Sequence, residues 1–190
     1  MSQEIEIEFK NLLTELEYEQ LTKDLPFQTE DRFTQTNYYF ETDEFDLREE
    51  GSALRIRKKE DTWTATLKEP HTDGLLETHD ILTEEQAHEW MNDEIAGAPN
   101  IEQRLANIGI MYSELRFKGA LVTERMETEY EDTLIVLDRS HYNNETDYEL
   151  ELEAKEKQHG EQVFQQLLQD FHIIERETPN KIKRFFQSFS

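Results

Sequence analysis

The sequence contains no cysteine and no long apolar run. Because cysteine is absent, a disulfide framework and a thiolate metal site are excluded, and a cytoplasmic location is expected. The longest aliphatic run, Leu134 to Leu137, is far too short to span a bilayer, and the acidic segment Met1 to Lys10 does not resemble a signal peptide. We therefore expect a soluble protein with no membrane partner.

Glycine and proline are also scarce, with 6 Gly and 4 Pro in 190 residues. Neither residue type occurs in a Ser/Gly-rich or Pro-rich tract, so no linker divides the sequence. We predict a single domain over residues 1–190.

Positive charge is scarce as well, because 20 Lys plus Arg stand against 44 Asp plus Glu and the formal net charge is −24. Such a charge repels polyanionic surfaces, so no DNA partner is expected. Aromatic residues are plentiful, with 11 Phe, 7 Tyr and 2 Trp, and these rings can supply a core despite the low mean hydropathy.

Alternation of apolar and charged residues is the dominant pattern along the chain. In the first strand, Glu4 to Lys10, it places Ile5, Ile7 and Phe9 on one face. Eight further segments rich in β-branched and aromatic residues are predicted as strands. They are Thr36–Glu41, Ala53–Lys58, Thr62–Lys68, Gly74–Thr78, Glu114–Lys118, Leu121–Tyr130, Thr133–Asp138 and Asp147–Ala154. Hairpin turns are predicted at Glu49-Glu50-Gly51 and at Glu131-Asp132.

Five helices are predicted between and after the strands. They are Thr14–Lys23, Thr83–Ile95, Ile101–Ile108, Gly160–Phe171 and Lys181–Phe189. Thr83 and Gln86 match a capping box, and the fourth helix carries an apolar stripe from Val163 to Phe171 that should pack on the sheet. The fold class is therefore α+β and mainly β, an antiparallel sheet closed into a barrel and buttressed by helices on the outside.

Several strands carry like chemistry on one face. The sets are Glu4, Glu6, Glu8 and Lys10; Arg55 and Arg57; Thr64, Thr66 and Lys68; and Glu149, Glu151 and Glu153. The simple explanation is a solvated face on each strand. Against it, carboxylates spaced by two residues repel one another, and a metal cation would relieve that repulsion. Carboxylate oxygens are ligands that Mg²⁺ and Mn²⁺ prefer.

Basic residues at five positions offer the complementary chemistry: Arg55, Arg57, Lys68, Arg125 and Lys181. Each alone is typical of a surface cation, but together they suit the oxygens of an extended polyphosphate. Other kinds of functional site have little support in the sequence. The glycines form no phosphate-binding loop, the six histidines show no metal-ligand spacing, and no serine lies in a nucleophile elbow.

The motifs taken together resemble one known family. They are Glu6-x-Glu8-x-Lys10, Tyr39-Phe40-Glu41-Thr42, Ala53-Leu54-Arg55-Ile56-Arg57, the Lys68 strand, Thr123-x-Arg125, Leu137-Asp138 and Glu149-Leu150-Glu151. In order and spacing they resemble the CYTH family, the triphosphate tunnel metalloenzymes, over nearly the whole chain.

This resemblance implies an eight-stranded antiparallel β-barrel that forms a tunnel for triphosphate compounds, is closed by C-terminal helices and uses Mg²⁺ or Mn²⁺. The implied metal ligands are Glu6, Glu8, Asp138, Glu149 and Glu151. The implied triphosphate ligands are Lys10, Arg55, Arg57, Lys68, Arg125 and Lys181. The implied catalytic residues are Glu6, Glu8, Lys10 and Asp138.

The leading functional hypothesis is hydrolysis of a terminal phosphoanhydride of a small triphosphate by in-line attack of water. A class IV adenylate cyclase, which converts ATP to cyclic AMP and pyrophosphate, uses the same implied tunnel and stays open. A module that binds polyphosphate or nucleotide without turnover is the third alternative. The sequence leaves the oligomeric state open, a homodimer included.

Overall fold

The computed structural model describes residues 2–28 and 32–189. Within them the strands are β1 (Ser2–Leu13), β2 (Phe33–Thr42), β3 (Ala53–Lys59), β4 (Thr62–His71), β5 (Gly74–Leu82), β6 (Leu115–Tyr130), β7 (Thr133–Tyr142) and β8 (Glu145–Ala154). The helices are α1 (Glu15–Asp24), α2 (Asp46–Glu49), α3 (Glu84–Met91), α4 (Pro99–Asn107), α5 (Lys157–Asp170) and α6 (Lys181–Gln187). None of these helices has both the length and the apolar character needed to cross a membrane.

The strands form a closed barrel in the order β1-β5-β4-β3-β2-β6-β7-β8. The pairings within it that can be followed residue by residue are antiparallel. The predicted eight-stranded antiparallel barrel with accompanying helices is therefore confirmed.

The stretch from Leu115 to Tyr130 is one strand of 16 residues. The prediction of two strands there, Glu114–Lys118 and Leu121–Tyr130, is wrong. Gly119, which suggested a break, has φ +139°, a conformation open to glycine, and the strand continues through it.

The predicted hairpin turn at Glu49-Glu50-Gly51 is also wrong, because the one-turn helix α2 lies between β2 and β3. The buried carboxylate of Glu41 organises this connection. It accepts hydrogen bonds from the backbone N–H groups of Thr42, Leu47 and Arg48 at 2.9–3.1 Å. The turn at Glu131-Asp132 is confirmed: both residues have positive φ, as a two-residue hairpin turn requires.

Strands β5, β7 and β8 extend beyond their predicted bounds into residues where apolar and polar side chains no longer alternate regularly. In β5 the continuation includes Asp80, whose carboxylate accepts hydrogen bonds from the backbone N–H groups of Asn100 and Ile101 at the start of α4. Helix α3 ends at Met91 instead of the predicted Ile95, because Asp93 adopts a left-handed conformation. The predicted capping box of Thr83 and Gln86 is confirmed.

The chain divides into two compact units. The first consists of the described residues up to Ile5 and Gln35–Leu121. Its core lies between β2–β5 and helices α3 and α4, and Phe40 and Trp90 meet there edge to face with ring centroids 5.3 Å apart.

The second unit consists of the described parts of Glu6–Thr34 and Val122–Ser190. In its core, the predicted apolar stripe of α5 packs on β1, β7 and β8, with Phe164 against Phe9. A Cβ at Gly160 would lie 2.5 Å from the Cβ of Ala154 and 2.7 Å from the Phe9 ring. The absence of a side chain at Gly160 therefore lets α5 approach the sheet.

Candidate active site

Four strands of the second unit present one polar face. In the antiparallel register, Asp138 of β7 lies opposite both Arg125 of β6 and Glu149 of β8, while Lys10 of β1 lies opposite Glu151 of β8. Directly opposite residues project from the same face of a sheet. The acidic and basic residues predicted on separate strands therefore share a face in this unit, and apolar residues fill the opposite face.

Three carboxylates on this face form the candidate cation site, hereafter the carboxylate triad. Asp138, Glu149 and Glu151 are 0%, 1% and 7% exposed. Each contributes a potential ligand atom, and these atoms lie within 4.8 Å of one another. Three buried oxygen donors at this spacing suit a hard divalent cation.

The Lys181 ammonium, the first group of α6, contacts the whole carboxylate triad. Its Nζ lies 2.7 Å from Asp138 Oδ2, 2.5 Å from Glu149 Oε1 and 2.5 Å from Glu151 Oε1. Helix α6 begins here because Asn180 caps it, its side chain accepting a hydrogen bond from the Lys183 backbone N–H. The cap thus sets where α6 begins and places Lys181 beside the three carboxylates.

Arg125 is the second cation of this network. Its Nε and Nη2 donate to the two oxygens of Asp138 at 2.7 Å each, and Nη2 also donates to Glu151 Oε2 at 2.7 Å. The guanidinium therefore binds two carboxylates of the triad, and its predicted role as a triphosphate ligand stays a prediction.

Arg184 is the third cation, and it was not predicted from the sequence. Its Nη1 lies 2.5 Å from Glu149 Oε2, and its Nε donates to Asp147 Oδ2 at 2.8 Å. The available signal was its spacing from Lys181, since residues three apart share a helix face. One face of the N-terminal half of α6 therefore lies against the acidic side of β7 and β8.

The charged groups of this network shift one another's pKa values. Burial raises the pKa of Glu149 to about 7, against the opposing effect of the Lys181 charge. Burial also opposes ionisation of Glu151, but Lys181 and Arg125 outweigh it and hold the pKa of Glu151 well below its usual range. Burial also opposes ionisation of Lys181. The three carboxylates outweigh this effect and keep the pKa of Lys181 well above its usual range. The ammonium and Glu151 thus stay charged at neutral pH.

The predicted residues of β1 lie on the strand paired with β8. Lys10 Nζ is 2.9 Å from Glu8 Oε1, and Glu6 is half-buried two residues before Glu8. Within the described residues, the acidic group that meets the spacing for a metal in this unit is the carboxylate triad, without Glu6 or Glu8. The prediction that Glu6 and Glu8 bind metal therefore stays a prediction.

The other predicted phosphate ligands belong to the first unit. Arg55, Arg57 and Lys68 share one face of β3 and β4, where Arg55 lies opposite Thr66 and Arg57 opposite Thr64. Arg57 Nε donates to Asn37 Oδ1 at 2.9 Å, and Lys68 forms an ion pair with Glu77. Within residues 2–28 and 32–189, the buried Nε of Arg55 has no hydrogen-bond partner.

A second group with metal-ligand spacing in the first unit comprises Glu4, Glu77 and His79. His79 Nε2 is 3.2 Å from Glu4 Oε1 and 3.4 Å from Glu77 Oε2, and its Nδ1 is 3.0 Å from Thr66 Oγ1. This group was not predicted from the sequence, because the predicted strand ended at Thr78. With β5 extended, Glu77 and His79 fall on the same face.

The CYTH domain model matches residues 4–186. The chain belongs to the CYTH family. The family resemblance seen in the sequence is therefore confirmed.

Two CYTH relatives cover nearly the whole chain. "Putative triphosphatase YjbK" of Bacillus subtilis (strain 168) is 44% identical over 187 residues, 98% of this chain and 97% of that protein. The crystal structure of a "putative adenylate cyclase" from Bacillus halodurans is 40% identical with a TM-score of 0.94, covering 98% of this chain and 100% of the other. The Hippeastrum protein HpAC1, with a TM-score of 0.77 at 23% identity and 96% of each chain covered, shares the fold.

Proposed function

We propose that this CYTH protein hydrolyses the terminal phosphoanhydride of a small triphosphate with the help of Mg²⁺ or Mn²⁺. The observation that carries the proposal is the buried carboxylate triad surrounded by Lys181, Arg125 and Arg184. The 44% identity to "Putative triphosphatase YjbK" of Bacillus subtilis supports the same reaction class. A cytoplasmic location and a single domain of 190 residues belong to this proposal.

The residues of the triad fit a divalent metal, since they offer several oxygen donors within 4.8 Å of one another in a buried setting. In the proposal Asp138, Glu149 and Glu151 hold the ion, and Glu6 and Glu8 complete the acidic side. A bound Mg²⁺ or Mn²⁺ would neutralise phosphate oxygens and polarise the phosphorus under attack.

The basic residues of the first unit are proposed to hold the phosphate chain. Arg55 gives the clearest support, because its buried Nε has no hydrogen-bond partner among the described residues, and a buried donor left unsatisfied is costly. A phosphate oxygen would satisfy it with a charge-assisted hydrogen bond. Arg57 and Lys68 share that face, and Lys10 is proposed to act from β1.

The decisive experiment separates the reaction products. The purified protein is incubated with tripolyphosphate or with ATP, each with Mg²⁺, with Mn²⁺ and with a chelator. We expect metal-dependent conversion of tripolyphosphate to pyrophosphate and orthophosphate, with one water consumed per bond broken. Lack of turnover of tripolyphosphate with either metal, in protein shown to be folded, would contradict the proposal.

Adenylate cyclase activity is the second candidate, favoured by the TM-score of 0.94 and 40% identity to the structure described as a "putative adenylate cyclase". In that reaction the 3′-hydroxyl of ATP attacks the α-phosphorus and pyrophosphate leaves. Cyclic AMP formed from ATP in the same incubations would support it. Tight binding of tripolyphosphate without any product would instead indicate a binding module.

Substitutions test the two proposed roles separately. Glu6→Gln and Glu8→Gln should each lower metal-dependent turnover by about 100-fold while the fold is retained, a loss in the range caused by removing one electrostatic contributor. Glu19→Gln, at an exposed position of α1, is the matched control. Unchanged turnover in both variants would remove Glu6 and Glu8 from the site.

Arg57→Ala should weaken triphosphate binding and leave metal binding nearly unchanged, because a phosphate ligand does not contact the cation. The exposed Arg48→Ala is the control in the same unit. Calorimetric titrations with Mg²⁺ alone and with tripolyphosphate in the presence of Mg²⁺ measure the two affinities. Equal losses of both affinities would show that the role of Arg57 is misassigned.

A further inference from the structure

The position of the Lys181 ammonium carries a consequence for metal loading. We infer that Lys181 and a divalent metal ion compete for the same three carboxylates, so that metal loading releases Lys181 from the triad. Lys181 is then an internal counter-ion of the metal site before it is a ligand of the triphosphate. The inference rests on the proposed metal site.

Geometry supports the competition. Lys181 Nζ lies 2.5–2.7 Å from one oxygen of each carboxylate in the triad. A metal ion bound by all three carboxylates needs to lie among their oxygens, because Mg²⁺ binds oxygen ligands at about 2.0–2.1 Å. Two cations cannot occupy the centre of one such group, so the ammonium has to leave as the metal enters.

Charge balance points the same way. When the triad is fully ionised, it and Asp147, the other partner of Arg184, carry four negative charges against the three positive charges of Lys181, Arg125 and Arg184. A divalent ion added to this buried network creates an excess of positive charge, and buried excess charge is costly. Moving the ammonium out of the triad reduces that excess. The released ammonium can then bind a substrate phosphate oxygen.

The release involves the side chain and leaves the helix in place. Arg184 holds α6 through Asp147 as well as through Glu149, and its Nη1 also donates to the carbonyl of Pro179. Asn180 caps the helix independently of the triad. The four-carbon stem of Lys181 can therefore swing away while its backbone stays docked.

A lysine-to-methionine exchange tests the competition by direct metal binding. Lys181→Met keeps most of the side-chain volume and removes the ammonium. We expect Mn²⁺ to bind this variant at least about tenfold more tightly than the wild type in the absence of any triphosphate, since charged hydrogen bonds need no longer be broken. Lys183→Met, the same change at an exposed position of α6, should leave the affinity unchanged. Mn²⁺ binding is measured by calorimetry and by the electron paramagnetic resonance signal of the free ion.

A second measurement uses the unmodified protein and so does not depend on the folding of a variant. Reductive methylation followed by mass spectrometry reports the reactivity of each lysine amine. Lys181, whose side chain is 11% exposed and bonded to three carboxylates, should react slowly without metal and several-fold faster with saturating Mg²⁺. Exposed Lys183 is the internal reference, with a rate that does not change.

The outcomes distinguish this inference from the proposed function. If Mn²⁺ binds wild type and Lys181→Met with equal affinity, or if Lys181 stays protected when metal is bound, the competition is refuted and the metal site stands. If neither protein binds Mn²⁺ while both are folded, the proposed metal site fails and the inference fails with it. Tighter binding by Lys181→Met together with metal-induced reactivity of Lys181 supports both.

Discussion

Replacement of Asp138 by Asn tests the electrostatic network of the second unit most directly. The exchange keeps the shape of the side chain but removes its charge. In the native protein the fully buried carboxylate accepts two hydrogen bonds from Arg125 and contacts Lys181, each at 2.7 Å. In the variant the Asn amide group faces a cation, and both cations lose a counter-charge.

The expected cost follows from this burial. Removing one partner of a buried ion pair typically costs about 3–5 kcal/mol, because the remaining charge is left uncompensated. A domain of this size has a free energy of unfolding of roughly 5–15 kcal/mol, so the loss is a large share of the total. It corresponds to a fall in Tm of about 6–20 °C, taking about 2–4 °C for each kcal/mol.

Urea denaturation in the presence of a chelator measures this loss without any contribution from bound metal. Asp43→Asn is the matched control, since it removes the same charge from an exposed ion pair with Lys118 that has the same 2.7 Å separation. Exposed pairs are screened by solvent, and the control should leave the denaturation midpoint nearly unchanged.

Two results would refute the reasoning. An Asp138→Asn protein as stable as the wild type would show that the buried network does not hold Arg125 and Lys181 as the distances indicate. Equal effects of Asp138→Asn and Asp43→Asn would show that burial does not amplify the loss of charge here. A change in the slope of the urea transition would mean that the variant alters the compactness of one of the two states.

Three further substitutions probe other contacts by urea denaturation. Asp80→Ala should cost about 1–2 kcal/mol, because it removes the acceptor for the first turn of α4, and an unchanged midpoint would contradict that role. Gly160→Ala should destabilise the protein by about 1–3 kcal/mol through overlap with the Phe9 ring. Helix propensity alone predicts the opposite, a gain in stability of about 1 kcal/mol. A net gain in stability would show that α5 can shift away from the sheet. Glu17→Gln should remove an acid-sensitive part of the stability. Burial opposes ionisation of Glu17, but hydrogen bonds, above all from Arg176, lower its pKa, so its contribution is present above pH 4.5 and lost as the pH falls through its folded pKa. Wild type and Glu17→Gln should therefore converge in stability at acidic pH, and a constant difference would exclude this origin.

Much of the fold could be predicted because alternation is so regular. Apolar and charged residues alternate from Glu4 to Lys10 in β1 and from Asp147 to Ala154 in β8, and this pattern identifies both the strands and the face that is packed. The errors fall where another interaction replaces the pattern. Gly119 suggested a break but fits within a continuous strand, and the one-turn helix after β2 depends on Glu41, whose partners lie up to seven residues along the chain.

The residues of the candidate site could be predicted from their types, but the contacts between them could not. Asp138, Glu149 and Glu151 were identified as acidic ligands, yet no spacing in the sequence indicates that Arg125 and Lys181 bind these same groups. That contact depends on strand register and on the docking of α6. Arg184 was missed although it lies within the predicted helix Lys181–Phe189, because its contacts depend on how that helix docks. His79 was missed because it lay beyond a predicted strand end.

The position of α6 has a consequence for the order in which this acidic face is neutralised. Asp138, Glu149 and Glu151 are synthesised before Lys181 and Arg184, so a growing chain that has completed all eight strands has only Arg125 of the three cations that contact the triad. In such a chain the carboxylates of the triad lack two of the three cations that pair with them in the complete protein. Divalent ions or high salt should therefore favour folding of a chain that ends before α6, because they screen the repulsion between these carboxylates.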